Sequence, residues 1–319
     1  MKKCFLIMSA MILQTMFVSA QNFAGTEWTD GFTNYKAEQK GSKIVFEGGT
    51  LHEGGYQFAL TKKAEKQFTV VPYNSDFDYS SFGEIGSKVE YRVINDNNVK
   101  YEFLVALNSK NEIVDIIQKY DGELLDRVYD NFVTVLQGRY SDANGVEYYF
   151  NNYSLTINGK KQTFECVLND YVSTNCIKLS DGKVYIIEMS TTGINLYNTK
   201  PIDDEFEYEK TTLYKKLSKK EQESSTKTGR WVYTQHSPVI GTTGYFSKDL
   251  LRIMRNEIYA RHGYVFNSAD LKEYFGKMSW YHPVSNNSSV KLSELETLNI
   301  NIIKKSETSD WFPEIEKGL

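Results

Sequence analysis

From Phe23 to Leu217 the chain repeats one pattern: short runs of alternating apolar and polar residues, each ended by Gly, Asn or Asp. Successive side chains of a strand point to opposite faces, so the alternation builds half-buried strands, and the frequent turns make sequence neighbours pair antiparallel. Strands are expected over 42–47, 56–60, 68–71, 89–94 and 101–107, and again over 148–150, 155–157, 164–168, 177–179, 184–189, 194–197 and 211–217. Asn144-Gly145, Asn158-Gly159 and Asp181-Gly182 are dipeptides that favour tight hairpins, because they accept positive φ at low cost. Between the two groups Leu124, Leu125, Val128, Phe132 and Val135 recur at near-helical spacing, which predicts a crossover helix within 122–136 and a boundary near Leu136.

Composition agrees. The 319 residues suffice for two domains, or three if one is small. Aromatic residues make up 14%, with 23 Tyr and 18 Phe, and wide planar side chains suit a pleated, half-buried surface. An apolar share of 40% with only 5 Pro excludes a disordered or collagen-like chain. With 41 acidic against 37 basic side chains the formal charge is −4, so no basic field draws nucleic acid or anionic lipid, and neither is expected as a partner.

Each β-rich half opens with a glycine and a nearby aromatic residue, Gly25 with Trp28 and Gly138 with Tyr140. Two readings follow: two small antiparallel barrels, each opened by the strand that closes it, or two unrelated β-units. The barrel reading resembles the lipocalin-like barrels common in exported bacterial proteins. That resemblance implies an interior holding a small apolar ligand or filled by side chains, and the small size favours filling.

The first twenty residues address location. Lys2 and Lys3 precede an apolar run from Phe5 to Val18, which ends in Val18-Ser19-Ala20. This reads as a secretory signal peptide over 1–20, cleaved before Gln21. Ser9, Gln14 and Thr15 interrupt the run, and it is shorter than the ~20 residues a membrane span needs. Cys4 precedes the run and Gln21 follows the cleavage point, so no lipid-anchor cysteine is in place. No membrane span is expected after cleavage, and the chain is expected to be exported to the periplasm, the cell surface or the medium. Cleavage leaves Cys166 and Cys176 in a compartment where disulfides persist. A hairpin centred on Tyr171 would set them opposite each other as a cross-strand disulfide; the other reading is two free thiols in a core.

Residues 218–229 lack apolar side chains and read as a solvated linker. Beyond it the apolar period changes to near 3.6. Ser247 is placed to cap a helix carrying Leu250, Leu251, Met254 and Ile258 on one face, and Gly263 stops it. Asn267 or Ser268 starts a second helix through Phe275, and Ser289 a third with Leu292, Leu295, Leu298 and Ile302. The expected fold is therefore α+β multidomain: a β-rich domain over 21–136, a β-meander or small barrel over 137–217, the linker, and a small helical domain over 230–319.

Tyr259-Ala260-Arg261-His262-Gly263, with Tyr274-Phe275 and Trp280-Tyr281-His282-Pro283 downstream, resembles the YARHG domain family over about 232–306. The resemblance implies an exported bacterial protein with the module at one end and names no reaction.

Arg252, Arg255, Glu257, Tyr259, Arg261, His262, Trp280 and Tyr281 are the candidate binding residues. Glu257 and Arg261 stand four apart in the favourable order for an ion pair. One reading is a positive face for carboxylates of cell-wall peptides, acidic glycans or a protein partner, with Trp280 and Tyr281 as stacking platforms. The other is an internal network that holds the bundle together. Catalysis and metal binding fare poorly. Glu257 and His262 are five apart, the two-His spacing of a zinc hydrolase is missing, and neither Gly48-Gly49 nor Gly54-Gly55 precedes a helix with Lys. No catalytic residue, metal or cofactor is assigned. The leading expectation is a non-enzymatic envelope protein whose module binds an envelope component or protein partner. An envelope hydrolase using carboxylates of the β-region, or a purely structural protein, are the alternatives.

Overall fold

The structure is a computed structural model that describes residues 23–31, 33–48, 57–73, 80–120, 124–169, 172–202, 205–216, 231–241, 243–244 and 246–308. The expected signal peptide over 1–20 and the expected linker over 218–229 lie outside the described residues. The chain forms two compact units, one of Met1–Val93 with Lys100–Tyr120 and the other of Ile94–Val99 with Asp121–Leu319.

Eight antiparallel strands form the first barrel: β1 (Glu27–Thr29), β2 (Asn34–Lys40), β3 (Lys43–Gly48), β4 (Gln57–Ala64), β5 (Gln67–Val71), β6 (Lys88–Asp96), β7 (Val99–Leu107) and β8 (Ile113–Lys119). They neighbour one another in chain order, and β1 returns to β8 through Trp28↔Lys119 and Thr29↔Gln118. Closure leaves no unpaired strand edge. Cross-strand register puts Trp28 opposite Tyr35, Ala37 opposite Phe46, and Phe46 opposite Phe58, all on one fully buried face. Phe46 stacks on Phe58 at 4.4 Å between centroids, and Trp28 meets Phe23 edge-on at 5.4 Å. Aromatic rings thus fill the interior. Gly25 holds φ at 79°, which lets its N–H reach the Ala37 carbonyl at 2.8 Å as the chain enters β1.

The second barrel repeats the plan with β9 (Gly138–Ser141), β10 (Glu147–Phe150), β11 (Ser154–Ile157), β12 (Lys160–Asn169), β13 (Val172–Leu179), β14 (Val184–Met189), β15 (Gly193–Ile202) and β16 (Glu205–Lys216). Strand β9 pairs with both β10 and β16, so the strand that opens this half closes its barrel. Helix α1 (Leu124–Leu136) precedes it with Val128, Phe132, Val133 and Leu136 buried. The Tyr140 hydroxyl donates to the Leu136 carbonyl at 2.9 Å, fastening the helix to the closing strand.

Strands β2 and β8 had no clear sequence signature, for opposite reasons. Strand β2 reads Asn-Tyr-Lys-Ala-Glu-Gln-Lys, in which only Tyr35 and Ala37 mark the buried face. Strand β8 buries four consecutive residues, Asp115 to Gln118, so alternation disappears.

The expected disulfide is not formed. Cys166 pairs with Ile177 and Cys176 with Val167, which sets the two thiols on opposite faces of the sheet, and both are free. The turn pairs Asn169 with Val172, one step away from a turn centred on Tyr171, and this already puts the two cysteines on opposite faces; the irregularity between Val167 and Asn169 shifts the pairing by two residues and keeps them so. Cys176 packs with Ile186 and Tyr197. Burial pushes the Cys166 thiol up to about 12. Residues 21–319, unfolded in denaturant without reductant, should titrate two free thiols per chain; a chain with none would overturn this register.

Candidate functional site

The C-terminal part of the second unit holds α2 (Lys248–Arg261), α3 (Ala269–Gly276) and α4 (Glu294–Thr308). Leu251, Met254 and Ile258 are buried, as their stripe requires, together with Leu295, Leu298 and Ile302 of α4. Ser247 and Ser268 occupy the N-cap positions of α2 and α3. The third helix starts later than the Ser289 expectation. Ser293 Oγ accepts from the Glu296 N–H at 3.1 Å and Glu296 Oε2 from the Ser293 N–H at 2.8 Å, a reciprocal capping box that places Leu292 before the helix.

Helix α2 ends at the sequence Tyr-Ala-Arg-His-Gly for a geometric reason. Gly263 has φ 76°; its N–H donates to the Ala260 carbonyl at 2.9 Å, and the Tyr264 N–H donates to the Tyr259 carbonyl at 3.1 Å. These two bonds make a Schellman ending, with the Tyr259 and Tyr264 rings 5.5 Å apart as its closing contact. A Cβ on residue 263 would lie 2.5 Å from the His282 carbonyl oxygen. Glycine therefore admits both the backbone turn and the 282–284 segment, whose Val284 N–H donates to the Gly263 carbonyl at 2.8 Å.

The charged residues of the motif point into the bundle. Glu257 is 1% exposed. Its Oε1 accepts the Trp231 backbone N–H at 3.0 Å and the Arg261 guanidinium at 3.2 and 2.5 Å. The other side of Arg261 lies over the Trp280 ring, 4.6 Å from its centroid. His262 Nε2 meets Glu296 Oε1 at 2.7 Å, and the same oxygen receives Gln235 Nε2 at 3.4 Å. Arg255 makes a two-pronged pair with Glu307 at 2.7 and 3.0 Å, tying α2 to the end of α4. Arg252 pairs with Asp270 at the start of α3, at 2.5 Å and in an exposed position. Tyr281 donates to the Tyr264 carbonyl at 2.8 Å and packs on Phe275 and Phe266.

All eight candidate residues are thus brought to one module, but Arg252, Arg255, Arg261 and His262 each face a carboxylate of that module rather than forming an open positive surface. The polar contacts match the internal-network reading. What remains outward is mostly aromatic: Tyr259, Tyr264, Tyr274, Trp280 and Tyr281, with Met278, are half-buried against a core of Ile253, Ala260, Phe266, Leu271 and Phe275.

Several key residues escaped the sequence reading. Asn299 is fully buried and donates to the Thr234 and Ser237 carbonyls, both at 2.8 Å, while accepting the Val239 N–H at 3.0 Å. Asn287 clamps the Val265 N–H and C=O at 2.7 and 3.0 Å. Only Glu296 carried a readable signal, the Ser-x-x-Glu spacing. The module also joins the second barrel. Phe246 bridges Met189, the Ser247 N–H donates to the Met189 carbonyl at 2.7 Å, and Thr191 donates to Asp249 at 2.5 Å.

Three outcomes check this network. Gly263→Ala should cost more than the ~1–2 kcal/mol of a left-handed residue, because the close approach adds to it, and the thermal midpoint will show the loss. Asn299→Ala strands buried backbone groups at about 1–3 kcal/mol each, read by denaturant unfolding. Burial raises the Glu296 carboxyl, but the His262 bond and the Ser293 amide outweigh it and hold the group below its ordinary value. A lowered folded value gives stability that is present above the unfolded value, near 4.5, and is lost as pH falls through the folded one. Glu296→Gln should therefore flatten the acid side of the stability profile.

Residues 243–308 match the YARHG domain family model. Neither a curated protein nor a solved structure matches the chain. The clamp through Glu257 and Asn299 reaches back to Trp231, so the folded module begins before the matched segment. The C-terminal module, joined to the second of two eight-stranded barrels, is thus similar to the YARHG domain family over residues 243–308.

Proposed function

We propose that this is an exported envelope protein of non-catalytic type, in which the YARHG module engages a cell-wall component through its aromatic face. Export rests on the signal-like first twenty residues. Among the described residues no helix is long and apolar enough to cross a membrane. The observation that carries the binding reading is the half-buried cluster of Tyr259, Tyr264, Tyr274, Trp280 and Tyr281, held rigid by Arg261 and by the Gly263 turn. Rings fixed in place with one face outward stack on sugar or peptide surfaces at little entropic cost. A binding role also accords with the acid and base side chains of the motif, since Glu257 and His262 are already engaged inside the bundle.

A purely structural role is the second reading, and the internal pairing of Arg252, Arg255, Arg261 and His262 favours it. Sedimentation of residues 21–319 with purified cell-wall sacculi separates the two. Wild-type chain should co-sediment, and Tyr274→Ala and Trp280→Ala should lose retention while the barrels stay folded by circular dichroism. Equal retention of all three, or none of the wild type, supports the structural reading instead.

A further inference from the structure

A second candidate site lies away from the module, between α1 and the start of the second barrel. A cavity of about 340 Å³ is lined by Tyr129 and Asp130 of α1 and by Tyr153, Phe164, Glu165 and Cys166 around β11 and β12. Its volume is at the lower end of the range for small-ligand sites. The lining combines two chemistries. Tyr153 and Phe164 form a tilted aromatic corner, with centroids 5.9 Å apart, and Tyr129 adds a third ring. Two carboxylates, Asp130 and Glu165, stand at the exposed rim, and no ion pair engages either among the described residues. The Tyr153 hydroxyl donates to Asp130 Oδ1 at 2.8 Å, which fixes both the ring and the carboxylate and leaves Oδ2 for another donor.

From this arrangement we propose that the cavity binds a small organic cation, an amine or quaternary ammonium with an apolar body. Ring faces carry negative potential and attract a cation, the carboxylates supply its counter-charge, and the apolar body packs on Phe164. An anion meets two like charges here, and a purely apolar ligand leaves both carboxylates with nothing to pair. The Cys166 thiol stays protonated at neutral pH and serves as apolar wall. The site is independent of the YARHG reading, since none of its lining residues belongs to the module.

Calorimetric titration of residues 21–319 with benzyltrimethylammonium tests the proposal, with benzoate as the anionic comparator. Benzyltrimethylammonium should bind and benzoate should not. Asp130→Asn keeps an acceptor for Tyr153 but removes the charge, so it should weaken the cation at least tenfold; Tyr153→Phe should weaken it less. Salt should weaken it too, because the pairing is electrostatic at an exposed rim. Absence of cation binding at millimolar concentration, equal affinity for benzoate, or unchanged affinity in Asp130→Asn would each overturn the assignment. Lys62→Ala, at an exposed position of β4, serves as the control and should leave the cation affinity unchanged.

Discussion

Taking the carboxylate of Glu257 out of water costs several kcal/mol unless good partners surround it, and the arrangement of the module follows from supplying them. One is the Trp231 amide, which draws the segment before α2 back onto the helix. Another is Arg261, four residues on, whose guanidinium is then pinned between the carboxylate and the Trp280 indole. Pinning Trp280 orders the loop after α3, and that loop lies against Gly263 closely enough to exclude any Cβ there. Arg and Gly of the pentapeptide thus serve one structure: the first neutralises a buried charge, the second admits the segment that covers it. Lysine at 261 would keep the charge but lose the planar fork and the stacking surface.

The barrels solve a different problem. Eight short strands expose many backbone groups, and pairing the first strand with the last satisfies them without help from another element. In the first barrel the interior is packed with large aromatic rings, among them Trp28, Phe46 and Phe58, which bury much apolar area per residue. The second barrel is closed in the same way, but Tyr129 and Asp130 of helix α1 face Tyr153, Phe164 and Glu165 of the barrel, and there a cavity opens. The two copies of one architecture therefore differ in structure by what is appended to them.

Much of the module was readable. The pentapeptide, the N-cap positions at Ser247 and Ser268, where neither side chain makes a capping bond, and the stripe of Leu251, Met254 and Ile258 follow local helix spacing, where i+3 and i+4 neighbours state the contacts directly. Direction was not readable. A helix with Arg252, Arg255 and Arg261 looks like a positive surface until Asp270, Glu307 and Glu257 arrive, and two of these three lie 18 and 52 residues further along the chain. Asn299 and Asn287 looked like ordinary polar residues because their partners are backbone groups of distant loops, and backbone groups carry no sequence signature.

The amino-acid sequence by itself determined what local chemistry can state: strands with turns at Asn-Gly and Asp-Gly, the crossover helix near Leu136, the barrel-opening pairs Gly25 with Trp28 and Gly138 with Tyr140, and the YARHG segment. These depend on steric rules and spacings within a few residues. Only the tertiary structure decided the register between β12 and β13, because pairing Asn169 with Val172 instead of centring the turn on Tyr171 is a one-residue difference that puts Cys166 and Cys176 on opposite faces. It also decided that the motif's charges turn inward and that Asp130 meets Tyr153 across 23 residues. Those pairings are set by which surfaces closure and packing bring together, a global condition that no short window of sequence contains.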